Sequence, residues 1–519
     1  MTDNTSMILV EEKDTTKKSA FERSIKDLDI PKFIKYFLSP HDPNDSLEFM
    51  VTELLTLKCG EELESYRQAV VEMRNPRLRN TVREFVNTDY KLKSFLEKRK
   101  KIIDECDGDV WRAIGRDTRE LIDADYQILK HYCKSIEKTQ QIRTESNLLN
   151  GIKEFGSAAR EDEHYKISEM VIDDMKNFGE SMIDVRYSYF GSNLRMFHIK
   201  ADTKTKMRKM IDWYIHRTKC ALSAAITFGF ILLHVTDEEK LFAKFLEYLI
   251  GKNAPSIQTT LEYRKITDFL LGSNRYAEKI ESNKIPLTYP DFTEEGVSIK
   301  ELYNPCLLLQ KDMKPENIVS NDVESKPEKN VAVITGPNNT GKSVYLKSIG
   351  LAVALAQNGF PLPSKNSRIM QFDKMHTHFV QEEDIALGEG AYLDELKRMK
   401  EVFETAKPNS LLLINEPIKG SSPEDSVEVT LRFIKGYRKL KAPTFITTHY
   451  HDVAKEVDGW EGVKNLKTDV RVVEKEIIPS YKIMPGKAGK SYGVEIADKF
   501  GLTEEGIYRM VEKNRQIPR

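Results

Sequence analysis

Few folds accommodate the run Gly336-Pro337-Asn338-Asn339-Thr340-Gly341-Lys342-Ser343. A β-branched stretch, Val331-Ala332-Val333-Ile334, precedes it, and Val344 to Val353 follow with apolar residues at helical spacing. Strand, glycine loop and helix, in that order, are the setting a phosphate-binding loop requires. Gly336 and Gly341 permit a tight turn in which successive N–H groups point inward. The helix N-terminus adds partial positive charge. In such a loop Lys342 reaches the β- and γ-phosphates of ATP, and the Ser343 hydroxyl ligates Mg2+. The expected nucleotide-contacting set is therefore Gly336, Pro337, Asn338, Asn339, Thr340, Gly341, Lys342, Ser343 and Val344.

Two later stretches fit the same chemistry. Ser410-Leu411-Leu412-Leu413-Ile414-Asn415-Glu416-Pro417 is an apolar strand ending in an acidic group, the pattern of a Walker B element. In phosphoryl-transfer ATPases an aspartate at that strand end helps hold magnesium. A following carboxylate orients or deprotonates the attacking water. Here Glu416 is that carboxylate, while Asn415 stands at the metal position with an acceptor oxygen but no charge. A hydrogen bond to a charged group is worth roughly 1.5–3 kcal/mol against about 1 for a neutral one, so weakened metal affinity is expected. Phe445-Ile446-Thr447-Thr448-His449 is a second β-rich run, and its strand-end His449 is placed to sense a γ-phosphate. His451 carries no such argument. His376 and His378, near Glu382, Glu383 and Asp384, match no metal-ligand spacing and read as a polar loop.

The rest of the chain sets bounds. Its 519 residues make two to four domains. A net charge of −1 gives no global field for nucleic acid, so any such site is a local patch. Two basic runs are candidates, Lys98-Arg99-Lys100-Lys101 and Lys204 to Lys219, the second interleaved with Trp213 and Tyr214. A solvated helix face is the competing reading of each. Cys59, Cys106, Cys133, Cys220 and Cys306 are far apart and form no disulfide framework, which suits a reducing cytoplasm. The polar start shows no signal-peptide pattern. The apolar run Ala221 to Val235 is too short to span a bilayer and reads as a buried helix or subunit contact.

The expected fold class is multidomain α and α/β. Residues 1–24 read as a polar tail, with one candidate strand at Met7 to Val10. Residues 25–295 read as helical, with Ile122 to Ile152 resembling a long helix exposed on more than one side. Prolines and short polar runs from Pro286 to Pro305 mark a boundary, and 296–519 alternates strands with helices.

These motifs together resemble the MutS family of DNA mismatch-repair ATPases. Ile334 to Asn338 opens the loop as in that family. Leu355-Ala356-Gln357-Asn358-Gly359-Phe360-Pro361-Leu362-Pro363 resembles its continuation, Thr448-His449-Tyr450-His451 its histidine loop, and Ser491 to Ala497 with Gly501-Leu502 its C-terminal element. Tyr36 to Pro40, Arg67 to Val70 and Arg77 to Phe95 resemble its helical core or lever, more weakly. The resemblance implies an ABC-like P-loop ATPase domain over 296–519 and a core/lever domain over 25–295 with a reduced or absent clamp. It implies a homodimer with composite ATP sites, gripping duplex DNA, with mismatched or branched DNA as further candidates, in a cytoplasmic, DNA-associated setting. Its signature loop matches Asp384 to Glu395, with Gly390 and Ala391 where the family has serine and threonine hydroxyls. A lost donor to transition-state charge commonly costs about 10²–10³ in rate. Thr340 and Val344 also depart from the family loop. The family's mismatch-reading module, with its Phe-x-Glu wedge, has no counterpart in residues 1–24, so mismatch recognition is the least supported expectation.

Two functions follow. One is a MutS-type ATPase, with Glu416 and His449 catalytic, Ser343 and Asn415 at the metal, and nucleotide state opening and closing a dimer on DNA. The other is a nucleotide-gated scaffold with little hydrolysis. An SMC- or transporter-type ATPase ranks below both, because no Leu-Ser-Gly-Gly signature precedes the Walker B strand.

Overall fold

The computed structural model of the chain describes residues 23–35, 45–177, 238–310, 313–379, 389–418, 422–473, 476–487 and 500–515. The expected strand at Met7 to Val10, the apolar run Ala221 to Val235 and the second basic run lie outside them. The chain divides into two compact units, one of Met1–Leu38, Pro43–Val70 and Gly272–Arg519, the other of Ser39–Asp42 and Val71–Leu271. Helices dominate one and mixed sheets the other, as the multidomain α and α/β expectation requires. No helix among the described residues is long and apolar enough to cross a membrane.

After a short helical turn at Ile30–Ile34 come helices α1 (Asp45–Leu55) and α2 (Gly60–Glu72). The helical unit then holds α3 (Pro76–Asp104), α4 (Thr118–Gln140), α5 (Asn147–Glu161), α6 (Glu163–Asn177) and much of α7 (Glu238–Ser282). Asn75 caps α3, accepting from the Arg77 N–H, and Pro76 occupies its first position. The expectation of an exposed helix after Ile122 is overturned. Ile128, Leu129, Tyr132 and Ile136 of α4 are buried in one cluster with Leu92 of α3 and Phe242, Phe245 and Leu249 of α7. Charge count misled because the apolar residues, though sparse, all fall on one stripe.

Polar groups are buried in this bundle too. The Ser135 hydroxyl donates to Asp89 Oδ1 at 2.7 Å. Burial pushes the Asp89 carboxyl up to about 8, opposed by that hydrogen bond and by Arg264. The basic run Lys98 to Lys101 divides in two. Lys98 pairs with Asp123 at 2.9 Å, and Arg99 pairs with Asp125 at 2.8 Å and with Glu247. Lys100 and Lys101 face solvent. Arg99 is therefore structural, the reading that competed with a phosphate-tracking patch.

In the other unit, β1 (Asp291–Thr293), β2 (Val297–Leu302) and β3 (Asn321–Ser325) precede β4 (Val331–Thr335) and helix α8 (Lys342–Ala356). Then come β5 (Asn366–Met370), β6 (Lys374–Phe379), α9 (Glu389–Thr405), β7 (Ser410–Asn415), α10 (Pro423–Leu440), β8 (Thr444–Thr448), β9 (Val463–Val473), β10 (Glu476–Pro485) and α11 (Glu504–Arg515). Four strands form one sheet in the order β1-β5-β2-β3, and six form another in the order β10-β9-β4-β8-β7-β6. In the larger sheet β9, β4, β8, β7 and β6 run parallel and β10 antiparallel. Every residue of β4, β7 and β8 is buried. That explains their near-continuous apolar sequence, since a parallel sheet is covered on both faces.

Helix α8 is buried almost all round, and Gly350 lets it approach. A Cβ there would meet Leu28 Cδ2 at 2.7 Å and Leu413 Cδ1 of β7 at 2.9 Å. Just past its C-terminus the Gln357-Asn358-Gly359 turn is stapled to the segment after α1. Asn358 Nδ2 donates to the Leu54 carbonyl at 2.9 Å, and its Oδ1 accepts from the buried Lys58 at 2.7 Å. The Lys58 ammonium also meets Glu53 at 3.0 Å.

Candidate nucleotide and metal site

Parallel strands bring their C-terminal ends to one sheet edge, where an open α/β sheet places its ligands. Three of the expected groups leave adjacent strands there: Gly336 after β4, Glu416 after β7 and His449 after β8.

The loop itself is shaped by backbone conformation. Gly336 has φ 154°, Asn339 60° and Gly341 94°, all in the region that favours glycine. A Cβ on Gly336 would meet Thr468 Oγ1 of β9 at 1.9 Å, so glycine is required for space as well. The Thr340 hydroxyl closes the turn on the Pro337 carbonyl at 2.7 Å. Asn338 and Asn339 are exposed at the tip, and Val344 is exposed on the first turn of α8. Gly341, in the left-handed region, is the N-cap of α8 and itself brings no side-chain cap. Lys342 is buried and folds over the loop, donating to the carbonyls of Gly336 at 2.7 Å and Pro337 at 2.8 Å. A buried ammonium at a helix N-terminus is suited to an anion.

Beside the loop, the Ser343 hydroxyl donates to Asn415 Oδ1 at 2.9 Å. The Thr447 hydroxyl donates to the same oxygen at 2.8 Å. Asn415 and Thr447 are cross-strand partners in the β7–β8 ladder, so the pairing register sets this contact. With its proton on Asn415 Oδ1, the Ser343 hydroxyl turns its lone pairs elsewhere, which fits a hard divalent cation that also takes phosphate and water ligands. Among the described residues, no group of three His, Cys, Asp or Glu side chains could hold a metal.

Glu416 sits one residue beyond Asn415 with φ 55°, and its N–H donates to the Thr447 carbonyl at 3.1 Å. This turn is uncommon for a residue with a side chain and aims the carboxylate out of the strand. His449 Nδ1 lies 3.8 Å from Glu416 Oε2, so the two expected catalytic groups meet. The histidine is about two-fifths exposed and the carboxylate nearly buried, so a ligand arriving from solvent would reach the imidazole first.

His376 and His378 correct the sequence reading. They form no polar loop but lie buried on β6. Burial, the largest cause, holds His376 down at about 4 and His378 at about 3. The acidic residues 382–384, and the 384–388 part of the matched signature loop, lie outside the described residues. Gly390 and Ala391 fall in the first turn of α9.

Sequence reasoning missed Thr447 and Thr468. Thr447 sits in the apolar strand β8 and Thr468 in the charged strand β9, and only strand pairing shows that one faces Asn415 and the other covers Gly336.

Residues 332–518 match the family model of MutS domain V. The DNA mismatch repair protein MutS of Caldanaerobacter subterraneus subsp. tengcongensis is 32% identical over 262 residues, 50% of this chain and 29% of that protein. MutS of Clostridium botulinum is 31% identical over 281 residues, 53% of this chain and 29% of the relative. MutS of Pelotomaculum thermopropionicum is 31% identical over 279 residues, 53% of this chain and 31% of the relative. The chain thus spans about three-tenths of the length of the curated relatives it matches.

Proposed function

We propose, from the premise that this chain belongs to the MutS family through its C-terminal half, that it is an ATP-binding, DNA-associated protein of the mismatch-repair type. On this reading 296–519 is an ABC-like P-loop ATPase domain, and nucleotide state drives the opening and closing of a homodimer on DNA. The observation that carries it is the convergence of Lys342, Ser343, Asn415, Glu416 and His449 at one sheet edge.

Each residue has a task. Gly336 to Ser343 wraps the phosphates with backbone N–H groups, and Lys342 exchanges its two loop carbonyls for phosphate oxygens. Ser343 offers a hydroxyl lone pair to Mg2+ while its proton goes to Asn415. Mg2+, when bound, neutralises phosphate charge. Glu416 accepts a proton from, or orients, a water in line with the γ-phosphate. His449, beside Glu416, donates to the γ-phosphate and so reports its presence. The helical 25–295 region is where DNA would lie.

Filter binding of duplex, mismatched and branched DNA, with and without ATP, tests this. Nucleotide-dependent retention of at least one DNA supports it; no retention at low salt in any nucleotide state overturns it.

A second reading, a nucleotide-gated scaffold with little turnover, draws on the uncharged Asn415 and on Gly390-Ala391. It predicts ATP-dependent dimerisation without hydrolysis.

A further inference from the structure

We propose that the seam between α3 and α4 carries a phosphate-binding patch for duplex DNA, formed by Lys91 of α3 with Lys130 and Lys134 of α4. The inference rests on the DNA-associated reading above and deepens it, by naming where on the helical unit the DNA backbone is held.

Side-chain pairs fix the antiparallel register of the two helices. Toward one end of the seam Lys98 meets Asp123 at 2.9 Å, and toward the other Lys138 meets Glu84 at 2.6 Å. Each sets a cation against a carboxylate. Midway between them the pattern breaks. Phe95 of α3 stacks on His131 of α4, ring centroids 5.5 Å apart, and the charges gathered around that imidazole are Lys91, Lys130 and Lys134. Burial first, then these three ammoniums, hold His131 down at about 4, so the ring is neutral at pH 7. Lys91 and Lys134 are exposed and Lys130 is half-buried, lying over the Tyr126 ring at 5.6 Å. None of the three pairs with a carboxylate among the described residues, and Glu137, exposed one turn beyond Lys134, pairs with neither lysine of α4. Like charges gathered on a helix surface weaken a fold. A local rule broken without a structural return is expected where a surface has a task. A polyanion supplies the return. Lys130 and Lys134 stand about 6 Å apart along the helix axis. Duplex DNA carries a negative charge about every 1.7 Å of its axis, so each flexible ammonium finds a phosphate. An acidic protein surface seldom offers that density. A chain of net charge −1 must bind DNA through such a local concentration. The sequence shows no basic run here, because the two helices contribute from positions some forty residues apart.

The experiment is fluorescence anisotropy of a labelled duplex, titrated with the full chain across a salt series. It compares wild type with a seam variant, Lys91→Gln with Lys130→Gln and Lys134→Gln, and with a control, Lys100→Gln with Lys101→Gln and Lys153→Gln. The control removes equal charge from exposed lysines elsewhere on the helical unit. Each phosphate contact contributes about 0.9 to the slope of log K against log salt, so the seam variant should lose about two to three units of slope and bind at least tenfold more weakly at low salt. The control should keep the slope and lose no more than about twofold. Matched and mismatched duplexes should suffer alike, since phosphate contacts carry no sequence information. The urea midpoint of the seam variant should not fall, because the exchange removes repulsion. Equal losses in the two variants, or an unchanged slope in the seam variant, overturn the proposal. Polyglutamate that competes as well as unlabelled duplex, charge for charge, also overturns it and assigns the seam to an acidic protein. A wild type that binds no duplex in any nucleotide state overturns the DNA reading itself, whereas a seam variant that binds duplex as wild type does overturns the patch alone.

Discussion

Gly336 and Lys342 carry the most exposed claims at the scale of single residues. Gly336→Ala adds a methyl at φ 154°, and its Cβ would sit 1.9 Å from Thr468 Oγ1. Thr468 must turn away, so the expected outcome is a stability loss of about 1–3 kcal/mol in urea unfolding and a loop that no longer binds nucleotide. Lys342→Ala acts differently. It removes an ammonium that is buried over the loop, so folding should survive while ATP affinity falls. Charge-assisted hydrogen bonds of about 1.5–3 kcal/mol correspond to a loss of roughly 10- to 150-fold, measurable by fluorescence titration of a labelled ATP. Both residues were legible in the sequence, because a glycine loop between a strand and a helix has few structural meanings. Thr447 was not. Its role depends on which residue faces it across a ladder, and local sequence carries no register.

Helices and strands test a different kind of claim. On β6, burial keeps His376 at about 4 and His378 at about 3, both below the ordinary histidine value. Above about pH 6.5 both rings are neutral whether the chain is folded or not, and stability is full. As pH falls from there toward 4, the unfolded chain takes up protons that the folded one refuses, so stability is lost. Between about pH 7 and pH 5 the loss is about 2 kcal/mol for each histidine. Urea unfolding at the two pH values should therefore show a smaller difference in His378→Gln, by about that amount; an unchanged difference would contradict the burial account. On α3, Arg99→Ala strands the fully buried Asp125 carboxylate, which burial already pushes up to about 6 against the pull of Arg99. Removing one partner of a buried pair should destabilise the helical unit by about 3 kcal/mol. Lys100→Ala and Lys101→Ala, both on exposed side chains, should leave the unfolding free energy within about 0.5 kcal/mol. The same elements show where pattern reading stops. The helical character of 25–295 was legible as a whole, and Pro76–Asp104 and Gly60–Glu72 are helices within it. How α4 is covered was not, because its partners Phe242 and Phe245 lie far along the chain. The Lys374–Phe379 strand was hidden for a related reason, its two histidines and a lysine resembling solvent-facing sequence although both histidines are buried.

For the whole molecule, everything turns on whether the sheet edge assembled by β4, β7 and β8 works as one site. The alternating strands and helices announced an α/β region, and the order β10-β9-β4-β8-β7-β6 places the loop, the acid and the histidine on three neighbouring strands. The sequence order of those motifs suggested that they meet, and His449 stands 3.8 Å from Glu416. The altered Asn415 need not silence the site, since its oxygen accepts from Ser343 as a carboxylate would. The decisive measurement is steady-state ATP hydrolysis by the full chain with Mg2+, with and without duplex DNA, beside Glu416→Gln. Magnesium-dependent turnover is expected, with a rate that responds to DNA and falls at least about a hundredfold in the variant, which still binds ATP. Turnover that is the same in Glu416→Gln, or a wild type with none, would contradict a working site at this edge.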